Sequence, residues 1–299
     1  MTVDKPKVLL LGSDGQVGWE LQRTLGVMSE VVNTTLSGKG GLPLDLLDAN
    51  AVTATVRQIQ PDFIINAAAH TAVDKAETEV DLSRRLNAEA PELLGQLAAE
   101  LGATVVHYST DFVFSGDSGR PYREEDEAVP LCVYGQTKLE GEQRLLATGA
   151  DALVLRTSWV YGNYGHNFML TMMRLFKEKG QLSVVDDQIG APTWSRMIAE
   201  ATAQIVHQLR MTAKETVQPQ GTYHLTAAGE TSWYDFATSI LDLMGGSCNI
   251  QPISTDNYPT PARRPAYSVL DNTKLKRTFG LQLPNWRDSL KQCMADRST

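Results

Sequence analysis

The feature that most constrains the fold is a short apolar run followed at once by a glycine loop and an amphipathic stretch. Lys7-Val-Leu-Leu-Leu11 predicts a buried strand, because its apolar side chains alternate to both faces. The loop Gly12-Ser-Asp-Gly15-Gln-Val-Gly18 follows, and helical periodicity begins behind it. Gly12 permits a tight turn, Gly15 lets backbone N–H groups approach a pyrophosphate, and Gly18 allows close helix–strand packing. This context predicts a βαβ unit that binds a dinucleotide.

The same alternation continues through the first 160 residues. Further strands are predicted at 29–35, 62–68, 103–108 and 152–156, with helices at 48–60, 87–101 and 134–146. Strands that alternate with helices imply right-handed crossovers and a mostly parallel sheet. We therefore expect an α/β fold with a doubly wound, Rossmann-type parallel sheet. The dinucleotide-binding domain is predicted at 1–160, and a smaller α/β substrate-binding domain at 161–299, with some segments returning to the first sheet.

Composition agrees with this fold and excludes several classes of protein. Hydrophobic residues make up 42% of the 299 residues and charged residues 21%, which is typical of a globular chain with a large core. The net charge of −8, without a run of basic residues, excludes nucleic acid as an expected partner. No stretch reaches the ~18 apolar residues of a membrane span. The three separated cysteines, Cys132, Cys248 and Cys293, form neither a disulfide framework nor a metal-ligand spacing. We expect a cytoplasmic protein.

Two signals that usually refine the cofactor are ambiguous. An acidic residue about 20 positions after the glycine loop typically binds the ribose of NAD, whereas a nearby Arg favours NADP. Val32-Asn-Thr-Thr35 contains neither, and Lys39 is the nearest cation. Asp45, just before Leu46, has two interpretations: an acceptor for the adenine amino group, or the N-cap of the next helix. The glycine loop itself has the alternative of a turn without a ligand.

Tyr134 and Lys138 form the candidate catalytic pair. They are four residues apart and so share one face of the predicted helix. The ordinary pKa of tyrosine, about 10, is too high for proton transfer near neutrality, and an adjacent ammonium favours the phenolate. Ser109-Thr110-Asp111 ends the fourth strand, where a parallel sheet presents residues to a ligand. The Thr110 hydroxyl there either polarises a carbonyl together with Tyr134 or caps the following turn.

These motifs occur in an order that carries a resemblance. With Asn66-Ala-Ala-Ala-His70 between the glycine loop and Ser109, the sequence resembles the extended short-chain dehydrogenase/reductases. Three later stretches resemble one family within them, the dTDP-4-dehydrorhamnose reductases: Arg156-Thr-Ser-Trp-Val-Tyr161, Asp187-Gln-Ile-Gly-Ala-Pro-Thr193 and Tyr258-Pro-Thr-Pro-Ala-Arg-Arg-Pro265. The resemblance covers nearly the whole chain. It implies reduction of the C4 ketone of dTDP-4-dehydro-L-rhamnose by NADPH or NADH, the last step of dTDP-L-rhamnose biosynthesis.

The resemblance also implies site residues by position. Tyr134 would give a proton to the C4 oxygen, Lys138 would lower the pKa of Tyr134 and hold the nicotinamide ribose, and Thr110 would hydrogen-bond the reacting oxygen. The residues predicted to contact the cofactor are Gly12, Gly15, Gln16, Val17, Asp45, Leu46, Ala68, Ala69, Tyr134 and Lys138. The residues predicted to contact the substrate are Thr110, Asp111, Tyr134, Trp159, Arg263 and Arg264.

Three of these residues have structural alternatives. Trp159 matches a family tryptophan that lies against the sugar ring, and its alternative is a core aromatic. Arg263 and Arg264 stand in a proline-stiffened loop, where at least one guanidinium is hypothesised to bind the dTDP diphosphate as a bidentate donor. The alternative is a structural arginine bonded to backbone carbonyls.

His70 and His107 are interpreted as packed or cofactor-adjacent residues, since Tyr134 already supplies the acid.

A metal site and the oligomeric state are left open. Some members of the family bind Mg²⁺ through carboxylates near a dimer interface. Glu20 is in a matching place, but Arg196 stands where a metal-binding member carries an acid, which puts a Mg²⁺ site in doubt. A homodimer is compatible with the sequence.

Two other functions keep the same fold. One is a different nucleotide-hexulose reductase, or an epimerase that retains its NAD. The other is a binding module, because a regulatory subunit of methionine adenosyltransferase resembles this family too. The joint presence of Thr110, Tyr134, Lys138 and Trp159 favours the reductase.

Overall fold

The computed structural model describes residues 5–211 and 219–297. The strands, in chain order, are β1 (Lys7–Leu11), β2 (Glu30–Thr35), β3 (Leu42–Pro43), β4 (Phe63–Asn66), β5 (Thr104–Thr110), β6 (Asp151–Thr157), β7 (Val160–Tyr161), β8 (Gln181–Val185), β9 (Ile189–Gly190), β10 (Thr193–Trp194), β11 (Gly221–His224), β12 (Thr231–Ser232) and β13 (Asn249–Ile253). The helices are α1 (Gln16–Gly26), α2 (Ala49–Ile59), α3 (Val73–Ala76), α4 (Val80–Arg84), α5 (Ala90–Leu101), α6 (Val133–Leu146), α7 (Phe168–Glu178), α8 (Ser195–Met211), α9 (Trp233–Met244), α10 (Thr273–Phe279) and α11 (Trp286–Arg297).

A parallel sheet lies at the centre of the molecule. Within the described ranges it has seven strands in the order β11-β6-β5-β4-β1-β2-β3, and every neighbouring pair is parallel. The predicted doubly wound, Rossmann-type α/β fold is therefore confirmed. The strand order reverses between β1 and β4, so a crevice opens at the carboxyl ends of these two strands. The glycine loop follows β1 and the Ala67–Ala69 segment follows β4, and both therefore lie at this crevice.

Two hydrophobic cores cover the two faces of the sheet. Leu9 and Leu11 of β1 pack with α2 and α5 on one face, while Val8 and Leu10 pack with α1, α8 and α10 on the other. Neighbouring residues of one strand thus enter different cores, because side chains alternate across a strand. This double burial is the physical reason for the uninterrupted apolar run that begins the sequence.

A third core holds the later part of the chain. It joins α7, α9 and α11 through side chains that include Met169, Phe236 and Trp286. Strands β8 and β13 pair beside it. The chain returns to the central sheet at β11, which pairs with β6. The division into domains at residue 160 stays a prediction.

The observed elements differ from the predicted ones where the chain serves the crevice. The strand predicted at 62–68 ends at Asn66, since Ala67 and Ala68 leave the sheet beside the glycine loop. The helix predicted from residue 87 is preceded by a π-helical segment, Arg85–Glu89. In residues 5–211 and 219–297, no helix combines the length and apolar character that a bilayer crossing requires.

Candidate active site

The glycine loop is packed too tightly for side chains. Gly12 has a φ of +71°, and a Cβ there would lie 2.8 Å from the backbone N and Cα of Ala68. A Cβ on Gly18 would lie 2.1 Å from the carbonyl oxygen of Gly12. The loop therefore brings the start of α1 directly against the chain that leaves β4. Gly15 precedes the first turn of α1, where backbone N–H groups and the helix dipole favour an anion.

A cavity of about 660 Å³ extends from this loop along the carboxyl ends of the strands. The structure brings all ten residues of the predicted cofactor site together in its lining: Gly12, Gly15, Gln16, Val17, Asp45, Leu46, Ala68, Ala69, Tyr134 and Lys138. Residues that the sequence analysis did not assign to the cofactor also line it, among them Thr35, Ser109, Thr157 and His166. Thr157 could have been predicted as a site residue, because it ends β6 directly beside Thr110 of β5.

Two residues that line the cavity have polar atoms without a partner in the described part of the chain, which supports a polar ligand. The hydroxyl oxygens of Ser109 and Thr157 are buried and have no hydrogen-bond partner among the described residues. Buried hydroxyls are normally hydrogen-bonded. The glycine loop lines another part of the same cavity. The two hydroxyls and the loop together suit a dinucleotide whose polar ring lies at one end and whose phosphates lie near α1.

Asp45 does not cap a helix. Its Oδ1 accepts a hydrogen bond from the backbone N of Leu47 at 2.9 Å. The N-cap of α2 is Asp48, whose carboxylate accepts from the N–H groups of Asn50 and Ala51. The N-cap interpretation of Asp45 is therefore wrong, and Asp45 lies exposed at the edge of the cavity.

Lys138 is buried and its ammonium group is held by β5. Nζ donates to the carbonyl oxygen of Tyr108 at 2.6 Å and lies 3.1 Å from Nε2 of His107. Burial lowers the pKa of Lys138 to about 8, and the Glu142 carboxylate opposes this shift. Burial, and then the neighbouring ammonium, hold the pKa of His107 well below its usual value. His107 is thus a packed neutral residue behind Lys138, a contact that the sequence pattern did not indicate.

Tyr134 is half-buried, lines the cavity and lies beside Thr110. Burial raises the pKa of its phenol, the adjacent Thr110 hydroxyl opposes this shift, and the charge of Asp111 adds to it. The ring contacts Phe112 edge to face, with centroids 5.6 Å apart. Burial is the largest of these effects, and the lowering of the Tyr134 pKa that the resemblance attributes to Lys138 stays a prediction. A protonated phenol is the form that a proton donor needs.

Trp159 has an unusual backbone and two close neighbours. Its φ of +46° is rare for a residue with a side chain. Its indole stacks on Trp233 with centroids 3.5 Å apart, and a Cβ on Gly190 would lie 2.4 Å from the same indole. The role of Trp159 as a sugar contact stays a prediction. Trp233 was missed, because nothing in the sequence around it indicates this long-range stacking.

The two arginines of the proline-rich loop differ in their contacts. Arg264 Nη2 pairs with Asp74 Oδ2 at 2.9 Å, and Nη1 donates to the carbonyl oxygen of Ala262 at 3.3 Å. Asp74 also accepts from the backbone N of Ala262, so this pair ties the loop to α3. Arg263 is exposed and makes no hydrogen bond or ion pair with the described part of the chain. Arg263 is consequently the guanidinium available to a ligand.

The surroundings of Glu20 do not fit Mg²⁺. Arg196 lies between two carboxylates, with Nε 3.2 Å from Glu20 Oε2 and Nη1 2.9 Å from Asp296 Oδ2. A guanidinium thus occupies the position that a cation would need between them. Across the described ranges, no group of three His, Cys, Asp or Glu side chains is arranged to hold a metal.

Comparison with known proteins agrees with this geometry. Residues 6–299 match the family described as the RmlD substrate binding domain. A dTDP-4-dehydrorhamnose reductase of Salmonella typhimurium is 43% identical, with 98% of each chain covered. The crystal structure of such a reductase from Clostridium acetobutylicum has a TM-score of 0.90 at 38% identity, covering 98% of this chain and 100% of the other. One from Bacillus anthracis, in complex with NADP, has a TM-score of 0.90 at 34% identity, covering 98% and 99%. The chain therefore belongs to the RmlD substrate binding domain family.

Proposed function

We propose that this chain is a dTDP-4-dehydrorhamnose reductase, which reduces the C4 ketone of dTDP-4-dehydro-L-rhamnose to dTDP-L-rhamnose with NADPH or NADH. The observation that carries the proposal is the cavity that joins the glycine loop to Tyr134 and Lys138. The full-length relatives named dTDP-4-dehydrorhamnose reductase support the choice of substrate. Supplying this dTDP-sugar with NADPH and NADH in parallel tests the proposal, since an epimerase would consume neither in proportion to product.

The cofactor would be held along the whole cavity. Its pyrophosphate would lie at Gly15 and the first turn of α1, and Asp45 at the cavity edge would accept from the adenine amino group. Lys138 would donate its remaining N–H to the nicotinamide ribose. When bound, the reduced nicotinamide supplies the hydride that the C4 carbon of the sugar receives. The NADP complex of the Bacillus anthracis relative supports a nicotinamide cofactor.

Tyr134 would complete the reduction by moving one proton. Its Oη–H bond breaks as a new O–H bond forms on the former ketone oxygen, which leaves a phenolate on Tyr134. Desolvation makes this phenolate costly, and the positive charge of Lys138 one helical turn away stabilises it. Reprotonation of Tyr134 from solvent restores the enzyme.

Gly12→Ala is expected to weaken NADPH binding roughly tenfold or more, the equivalent of about 1.4 kcal/mol. The new Cβ meets the backbone of Ala68, which lines the cavity, in addition to the strain of a positive φ. Gly102→Ala is the matched control, because Gly102 has a φ of +68° but no atom within 4 Å of its added Cβ. It should lose only about 1 to 2 kcal/mol of unfolding free energy. Fluorescence titration measures the NADPH affinity of both variants. Equal affinities of Gly12→Ala and Gly102→Ala for NADPH would contradict the assignment of the loop to the cofactor.

Arg263→Ala is expected to raise the KM for the dTDP-sugar about 10- to 100-fold, because a charge-assisted hydrogen bond is worth about 1.5 to 3 kcal/mol. The exposed guanidinium has no other partner among the described residues to lose, so the melting temperature should stay unchanged. Arg264→Ala breaks the pair with Asp74 and should instead lower the melting temperature. Steady-state kinetics and thermal melts separate the two. An unchanged KM in Arg263→Ala would remove Arg263 from the diphosphate site.

A further inference from the structure

The Thr110 hydroxyl has a single hydrogen, and an ionised Asp111 would hold that hydrogen on its carboxylate. Thr110 Oγ1 donates to Asp111 Oδ1 at 3.0 Å and accepts from the backbone N of Phe112 at 3.2 Å. A hydroxyl has one donor and two acceptor positions. In this arrangement Thr110 therefore has an acceptor position left for Tyr134, and no hydrogen for a ketone oxygen. A ketone that gains electron density needs donors, so Thr110 does not serve the reaction while it donates to Asp111.

The acceptor of that hydrogen is an unusually placed carboxyl group. Asp111 lies in the turn of 3₁₀-helix, Asp111–Val113, that follows β5, and only 1% of its surface is exposed. Its Oδ2 has no hydrogen-bond partner of good geometry within the described ranges. A buried carboxylate with an unpaired oxygen is costly, which favours the neutral acid at this position. Burial raises the pKa of Asp111 to about 6, and the hydroxyls of Ser268 and Thr110 oppose the shift.

In the described part of the chain, the other groups around Asp111 do not supply a positive charge to it. From α6, the Tyr134 phenol faces it, with Cys132 next to that phenol. Lys138, one turn further along α6, directs its ammonium to Tyr108 and His107 on β5. From the segment after the proline-rich loop, the facing group is the uncharged Ser268 hydroxyl. A charge on Asp111 also makes the phenolic proton of Tyr134 harder to release, since it raises the pKa of Tyr134.

We propose that Asp111 is a positioning residue that acts in its neutral form, in which it releases the Thr110 hydrogen so that Thr110 donates to the C4 oxygen of the keto sugar. Neutral Asp111 donates to Thr110 Oγ1, and Thr110 donates to the substrate oxygen that receives the proton of Tyr134. Asp111 keeps its own proton throughout. This inference rests on the proposed reductase function and adds a control of its rate by pH. When Asp111 ionises, the Thr110 hydrogen returns to the carboxylate and the substrate oxygen loses one donor.

The test is the pH profile of kcat/KM for the dTDP-sugar in wild type and Asp111→Asn. In wild type, kcat/KM should fall above an apparent pKa near 6, as Asp111 ionises, and should level off at a lower plateau because the substrate oxygen loses only one donor. The asparagine side chain of the variant is permanently neutral, and its amide can donate to Thr110, so the variant should lack this fall. A separate fall above about pH 8, from Lys138, belongs to both proteins. A merely structural role of Asp111 would lower the rate at every pH without changing the profile.

Ser268→Ala is a second variant that retains Asp111. It removes a hydroxyl that favours the charged carboxylate, so the fall in kcat/KM should move to higher pH. The same fall in Asp111→Asn as in wild type, or an unmoved fall in Ser268→Ala, would overturn the inference while the reductase function stands. If wild type did not turn over the dTDP-sugar at any pH, the proposed function would fail, and the inference with it.

Discussion

Tyr134→Phe should lower kcat for the dTDP-sugar by about 10² to 10⁴, the usual contribution of a positioned general acid. The substitution removes only Oη and keeps the ring that contacts Phe112 edge to face. The melting temperature should therefore change little, and NADPH affinity should fall by less than kcat. Steady-state rates, NADPH titration and thermal melts of the two proteins measure all three quantities.

Tyr161→Phe is the matched control for this substitution. The Tyr161 hydroxyl is also buried and has no hydrogen-bond partner in the described part of the chain, and Tyr161 does not appear among the residues that line the cavity. Loss of this hydroxyl should leave kcat within about twofold of wild type, because no hydrogen bond to a described residue is broken when it is removed. If Tyr134→Phe kept a kcat as high as Tyr161→Phe, Tyr134 would not be the proton donor.

Arg156→Met should lower the free energy of unfolding by about 3 to 5 kcal/mol, because it leaves a buried charge without a partner. Arg156 on β6 pairs with Glu142 on α6 through Nε and Nη2, the shortest distance being 2.7 Å. The two side chains are only 6% and 3% exposed. Urea unfolding measures the loss, and the double variant Arg156→Met/Glu142→Leu should recover part of it.

An exposed ion pair provides the comparison. Arg57 and Glu100 pair at 2.8 Å, but their side chains are 55% and 49% exposed. Arg57→Met should therefore lower the free energy of unfolding far less than Arg156→Met. If Arg156→Met were no more destabilising than Arg57→Met, the buried pair would not be what fixes α6, and with it Tyr134 and Lys138, against the sheet.

The parts of the site that the sequence predicted are those set by local pattern. The glycine loop and the apolar run before it are neighbours in the chain, and their spacing alone places Gly12 to Val17 at the start of α1. Tyr134 and Lys138 share a helix face for the same reason. The doubly wound sheet was predictable because a strand that is buried on both faces has an unbroken apolar run.

The parts that the sequence did not predict depend on residues distant in the chain. The ammonium of Lys138 contacts His107, 31 positions away, and helical spacing alone indicated only its proximity to Tyr134. The Asp74–Arg264 pair spans 190 positions. Two-residue strands such as β9 and β12 exist only because they pair with each other, since so short a segment has no periodicity of its own. Asp45 was considered as an N-cap, and only the observed start of α2 identifies Asp48 as the residue that caps it.

The most direct test of the central claim uses NADPH deuterated at C4 of the nicotinamide. Wild-type protein would be incubated with this NADPH and dTDP-4-dehydro-L-rhamnose, and the sugar product analysed by mass spectrometry and NMR. The reductase function predicts one deuterium at C4 of dTDP-L-rhamnose for each molecule of NADPH that is oxidised. Formation of the sugar product without deuterium at C4, or no oxidation of NADPH, would contradict it.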